Sequence, residues 1–71
     1  MFSASAIARN VRTLRGSSGL SQMRLAELTG LSQSWISRLE SGDVNPTLDT
    51  LERLAGALGR APADLLNDPT A

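Results

Sequence analysis

The chain has 71 residues, enough for one domain around one small core, and its seven basic and seven acidic residues leave no formal net charge. The absence of Cys excludes disulfides and thiolate metal sites, and the absence of His removes the usual zinc ligand and the commonest general base. The apolar runs are too short to span a membrane and the N-terminus has no signal-peptide pattern, so a soluble, cytoplasmic protein with no cofactor is expected.

The charge is two-ended. Residues 1–39 carry Arg9, Arg12, Arg15, Arg24 and Arg38 against Glu27 alone, a net of +4. Residues 40–71 carry Arg53 and Arg60 against Glu40, Asp43, Asp49, Glu52, Asp64 and Asp68, a net of −4. A basic face is the electrostatic footprint of a nucleic-acid binder. Every basic residue is Arg, whose planar donor fork suits phosphate and guanine. All-Arg usage equally fits a GC-rich genome.

Five short helical segments follow one another, with no strand-like alternation. The first is expected from about Ser5 to Ser17, with Ile7, Val11 and Leu14 on one 3.6-residue stripe. Ser3 or Ser5 is its candidate cap. Gly16 weakens its last turn and Gly19 suits a left-handed terminator. The second runs from Gln22 to about Thr29, capped by the Ser21 hydroxyl, with Leu25 and Ala26 inward and Gly30 at its end. The third, capped by Ser32, runs from Gln33 to about Ser41. Ile36 and Leu39 are its inward pair and Gly42 stops it.

Asp43 to Pro46 reads as a loop, with Asn45 held extended by the Pro that follows. Thr47 caps a fourth helix with Leu48, Leu51, Leu54, Ala55 and Leu58 inward, ended by Gly59. Pro62 fits the first turn of a last short helix that carries Leu65 and Leu66. The tail after Asn67 is expected to fray.

The informative stretch is Gln22 to Leu39. Two helices joined by about four residues, Thr29 to Ser32, impose three demands. Their close crossing needs a small residue, met by Ala26. The turn needs a positive φ, met by Gly30. The second helix must bury a branched aliphatic against the first, met by Ile36, ten residues after Ala26. That pattern is the physical signature of a DNA-binding helix-turn-helix.

On these residues the sequence resembles the Cro and phage-repressor type of helix-turn-helix protein, the XRE family. The resemblance covers about residues 5–66. It rests on Gly19-Leu20-Ser21-Gln22, Leu25-Ala26, Gly30-Leu31-Ser32-Gln33, Ile36-Ser37-Arg38-Leu39-Glu40-Ser41-Gly42, Asn45-Pro46-Thr47-Leu48, Leu54-Ala55 with Leu58-Gly59, and Pro62-Ala63-Asp64-Leu65-Leu66.

The resemblance implies an all-α, compact five-helix, lambda-repressor-like domain. Residues 1–71 are expected to form that one domain, with an ordered core of about 5–66 and the helix-turn-helix at about 22–41. The third helix is expected to enter the major groove of double-stranded DNA. The positions that match the family's base readers are Gln33, Ser34, Ser37 and Arg38. Gln pairs bidentately with adenine and Arg with guanine. Gln22 matches a residue that touches phosphate and braces the reading Gln. Arg15 and Glu40 match a structural ion pair between the first and third helices. Leu65 and Leu66 lie on the helix through which the family often forms homodimers.

Plainer readings stand beside these. Gln33 suits any first helical turn, Ser34 and Ser37 merely permit close approach, and Arg38 serves as a solvated charge. Arg12 and Arg24 are surface charges first and phosphate contacts second. Trp35 lies off the inward stripe, so it either flanks the core or presents its indole to the DNA backbone. Leu65 and Leu66 equally suit core closure.

Two features depart from the family pattern. The loop after the third helix carries Asp43 in place of basic residues, which leaves backbone contact to Asn45, Thr47 or main-chain N–H groups. Ala61 stands where a capping Ser is common, so a cap worth about 1 kcal/mol is missing. No second domain is expected to sense a ligand.

The expected function is a bacterial or phage-encoded transcriptional regulator, a repressor that binds a palindromic operator as a homodimer. The alternative is a protein-interaction module or antitoxin on the same fold, with a toxin or anti-repressor as partner. An enzyme is not expected, because no nucleophile and base fall together.

Overall fold

The computed structural model describes residues 4–67. The expected fraying after Asn67 and the candidate cap Ser3 lie outside them. Five helices follow in order: α1 (Ala4–Ser17), α2 (Gln22–Thr29), α3 (Gln33–Glu40), α4 (Leu48–Leu58) and α5 (Pro62–Leu66). No strand occurs among the described residues.

The sequence's short polar caps set most of the starts. Ser21 accepts the N–H of Arg24 and Ser32 that of Trp35, each at 3.0 Å, while Thr47 accepts that of Thr50 at 3.3 Å. Each satisfies one of the orphan donors of a first helical turn. Ser5 is not a cap, because α1 already begins at Ala4 and places Ser5 inside its first turn. Ala61 has no side chain to cap α5, yet Asp64 reaches back and accepts the Ala61 N–H at 3.1 Å. Half of a capping box therefore offsets the missing cap. The third helix ends one residue earlier than expected, with Ser41 as its cap.

Ile7, Val11, Leu25, Ala26, Ile36, Leu39, Leu51, Leu54, Ala55, Leu58 and Leu65 form one core. The helix α1 packs on α3 and α5, α2 on α3 and α4, and α4 on α5. Leu14, Leu20, Leu31, Trp35, Val44, Ala57 and Leu66 seal its edges half-buried. Leu48 continues the α4 stripe in sequence but is 67% exposed. It occupies the first helical position of α4, one turn before the buried Leu51.

A buried polar residue ties the last helix to the first. Asn10 lies on the same stripe as Ile7, Val11 and Leu14 and is buried. Its amide donates to the carbonyls of Leu65 (2.8 Å) and Asn67 (2.6 Å), which satisfies groups left open at the end of α5. Truncation would leave those carbonyls partly desolvated without a donor. We expect Asn10→Ala to cost about 1–3 kcal/mol in urea unfolding, against a change within about 0.5 kcal/mol for the exposed Arg9→Ala.

Candidate nucleic-acid interface

The turn between α2 and α3 is closed by its own chemistry. Gly30 sits at φ +75° and donates to the carbonyl of Ala26 at 2.9 Å. A Cβ at that site would meet nothing closer than 3.9 Å, so it is the backbone angle and not space that calls for Gly. The buried Thr29 hydroxyl donates to the Leu25 carbonyl at 2.8 Å and accepts the N–H of Leu31 at 3.3 Å. The turn therefore spends its polar groups on itself and holds α3 at a fixed exit.

On α3, Ile36, Leu39 and Glu40 face inward and are buried. Gln33, Ser34, Ser37 and Arg38 are all exposed. Positions i, i+1, i+4 and i+5 share one side of a helix, so the structure brings these four side chains onto a single polar face. These positions span about 8 Å of helix, and a helix with its side chains is about 10–12 Å across, which a B-form major groove about 12 Å wide admits. Arg38 makes no ion pair with another described residue.

Beside the start of α3 lies an open groove lined by Gly30, Leu31, Ser32, Trp35, Asn45, Thr47 and Thr50. It joins the turn, the first turn of α3 and the start of α4 into one surface. Trp35 is half-buried, packs on the core and lines this groove as well. Its two open readings are thus both accommodated by geometry. Asn45 and Thr47, which also line it, are exposed. Arg12 and Arg24 are exposed on α1 and α2. Arg24 has Glu27 at 3.5 Å, a solvated pair of the kind worth about 0.2–0.5 kcal/mol.

Behind this face lies a junction of charges. Glu40 is buried, and Arg15 meets it through two donors: Nε at 2.7 Å and Nη2 at 3.0 Å. The remaining donor Nη1 holds the Leu20 carbonyl at 2.8 Å. The hydrogen-bonded carboxylate raises the Arg15 pKa above its ordinary value, in spite of the opposing cost of burial. Gln22, expected to touch phosphate and brace Gln33, donates from Nε2 to Glu40 Oε1 at 3.0 Å, and no hydrogen bond joins it to Gln33 among the described residues. Leu65, expected at a two-fold contact, has no exposed surface to offer a partner, because α5 turns it into the chain's own core. Leu66 is half-buried beside it.

Two of the remaining described acids have partners, while Asp43 and Glu52 are exposed. Asp49 pairs with Arg53 at 3.1 Å and Asp64 accepts a backbone N–H. Among the described residues no group of three or more carboxylates gathers into a metal site, and no helix is long and apolar enough to cross a membrane.

Residues 6–67 match the family model described as a helix-turn-helix domain. The chain belongs to this helix-turn-helix family. A control protein of Serratia marcescens, C.SmaI, is 43% identical over 60 residues, which cover 84% of this chain and 71% of that protein. The immunity repressor of Bacillus phage phi105 is 34% identical over 64 residues, covering 90% of this chain and 44% of the repressor. The helix-turn-helix chain thus spans less than half the length of that relative. The crystal structure of a hypothetical transcription factor from Neisseria superposes with a TM-score of 0.90 at 36% identity, covering 94% of this chain and 77% of that one.

Proposed function

We propose that this chain is a DNA-binding transcriptional regulator of the cytoplasm, a repressor that reads a palindromic operator as a homodimer. The observation that carries the reading is the polar face of α3, where Gln33, Ser34, Ser37 and Arg38 stand together and exposed on a buried apolar base. Relatives named as a phage repressor and a control protein support it. In this reading those four residues meet base edges. Arg12, Arg24, Trp35, Asn45 and Thr47 meet the DNA backbone, with the groove at the start of α3 and α4 following its path.

A single module of this size contacts too few base pairs for useful discrimination among genomic sites. Two-fold pairing would set two copies of α3 about 34 Å apart along the duplex. With Leu65 buried, such pairing falls to exposed groups elsewhere on the chain.

Selection of bound sequences from a random DNA pool tests this directly. The selected site should be palindromic, and sedimentation should find two chains on it. Gln33→Ala and Arg38→Ala should each flatten the ranking of single-base variants at one position per half-site, by about 1–3 kcal/mol. Arg12→Ala should weaken all sequences alike. Recovery of no enriched sequence would favour a protein-interaction module on this fold, a reading supported by the neutral net charge and the exposed Asp43.

A further inference from the structure

Two helices joined by a turn are fastened at one end. In this chain α2 and α3 are fastened at both. The turn links the end of α2 to the start of α3. Gln22, the first residue of α2, donates from Nε2 to Oε1 of Glu40, the last residue of α3. Each helix has eight residues, so about 12 Å of helix lies between the two fastenings. Helices hinged only at their turn can pivot on the apolar contact between them. A second tie at the far ends removes that freedom.

The acceptor of the tie is itself held. The Glu40 side chain is 3% exposed and Arg15 grips both of its oxygens. Arg15 in turn holds the Leu20 carbonyl, just before α2 begins. One carboxylate therefore joins the end of α1, the start of α2 and the end of α3.

We propose that Gln22 is a positioning residue for base recognition: through Glu40 it fixes the angle at which α3 presents Gln33, Ser34, Ser37 and Arg38. The inference rests on the DNA-binding reading above and assigns Gln22 an intramolecular role made through Glu40.

Gln22→Met keeps an unbranched side chain and removes the amide. Two measurements are made: the thermal midpoint of the DNA-free protein, and affinities for the selected operator, its single-base variants and unrelated DNA. The midpoint should fall by about 5–10 °C, since a hydrogen bond to a charged group is lost. Discrimination between operator and single-base variants should shrink about tenfold, while affinity for unrelated DNA stays within about twofold. Gln22→Lys, whose ammonium can donate to the same carboxylate, should restore the midpoint and the discrimination. Gln22→Asn, one methylene shorter, is the milder variant should Gln22→Met not fold, and it is expected to move both readouts the same way.

An unchanged midpoint with equal weakening on every DNA would overturn the proposal in favour of a phosphate contact. A lowered midpoint with full discrimination would overturn it in favour of a purely structural bond. A wild-type chain that selects no sequence overturns this inference together with the DNA-binding reading. A wild-type chain that selects one, while Gln22→Met discriminates normally, overturns this inference alone.

Discussion

Glu40→Ala is expected to lower the thermal midpoint by about 15 °C and to leave much of the protein unfolded at 37 °C. The carboxylate is buried and accepts three hydrogen bonds, two from Arg15 and one from Gln22. Its removal strands a guanidinium that is only 21% exposed on its side chain. Breaking a buried pair on one side costs about 3–5 kcal/mol, and partial hydration of Arg15 places this case near the lower end. A domain of this size has about 5 kcal/mol of stability to lose, and each 1 kcal/mol moves its midpoint by about 4–8 °C. Glu52→Ala, at an exposed position on α4, is the control and should shift the midpoint by about 2 °C or less. Equal shifts for the two variants would show that the junction contributes nothing beyond a surface charge. Replacement of Arg15 and Glu40 together by apolar residues should cost less than Glu40→Ala alone, because no charge is then left without a partner.

The architecture was legible in the sequence where local chemistry decides it. Ser21, Ser32 and Thr47 are short acceptors placed one residue before apolar-periodic runs, and all three cap helices in the structure. Gly19, Gly30, Gly42 and Gly59 close helices at positive φ, a choice that depends on their own backbone alone. The polar face of α3 follows from the same arithmetic, since Ile36 and Leu39 fix which side turns inward.

What escaped depends on contacts between distant segments. Thr29 bonds only its own helix and turn, and the Arg15–Glu40 pair is the one that the family resemblance implied. Asn10 occupies an inward position of α1 and is buried. A polar residue on an apolar stripe signals a satisfied internal bond. Its partner cannot be read from periodicity: Asn10 bonds residues 55 and 57 positions away. Gln22 and Glu40 are 18 residues apart and meet only because the turn folds α3 back across α2. Leu48 fails in the opposite sense. It fits an apolar stripe, but whether a stripe residue is covered depends on where its helix ends against the core.

Binding to the operator is expected to weaken about 1,000-fold between 50 mM and 200 mM salt, despite the absence of net charge. The helices α1 to α3 carry Arg9, Arg12, Arg15, Arg24 and Arg38, and Arg15 is consumed by Glu40. Arg9, Arg12, Arg24 and Arg38 are exposed. If about three of these per subunit displace counterions from phosphate, a dimer should show a slope of log K against log salt of about −5. The acids of α4 and α5 do not enter this slope when they lie beyond the screening distance, about 10 Å at 0.1 M salt. Asp43 is the exception. It is exposed on the loop that leaves α3 and leads to Asn45 and Thr47 in the groove wall. Asp43→Asn should therefore tighten binding about threefold at low salt and less at high salt, as screening weakens the repulsion it removes. Asp64→Asn is the matched control on α5, where the amide oxygen can still accept the Ala61 N–H, and it should leave affinity unchanged. Affinities of the wild type and both variants at three salt concentrations decide the matter. A slope near zero, or an identical response of the two variants, would mean that DNA does not lie against the face built by α3 and its following loop.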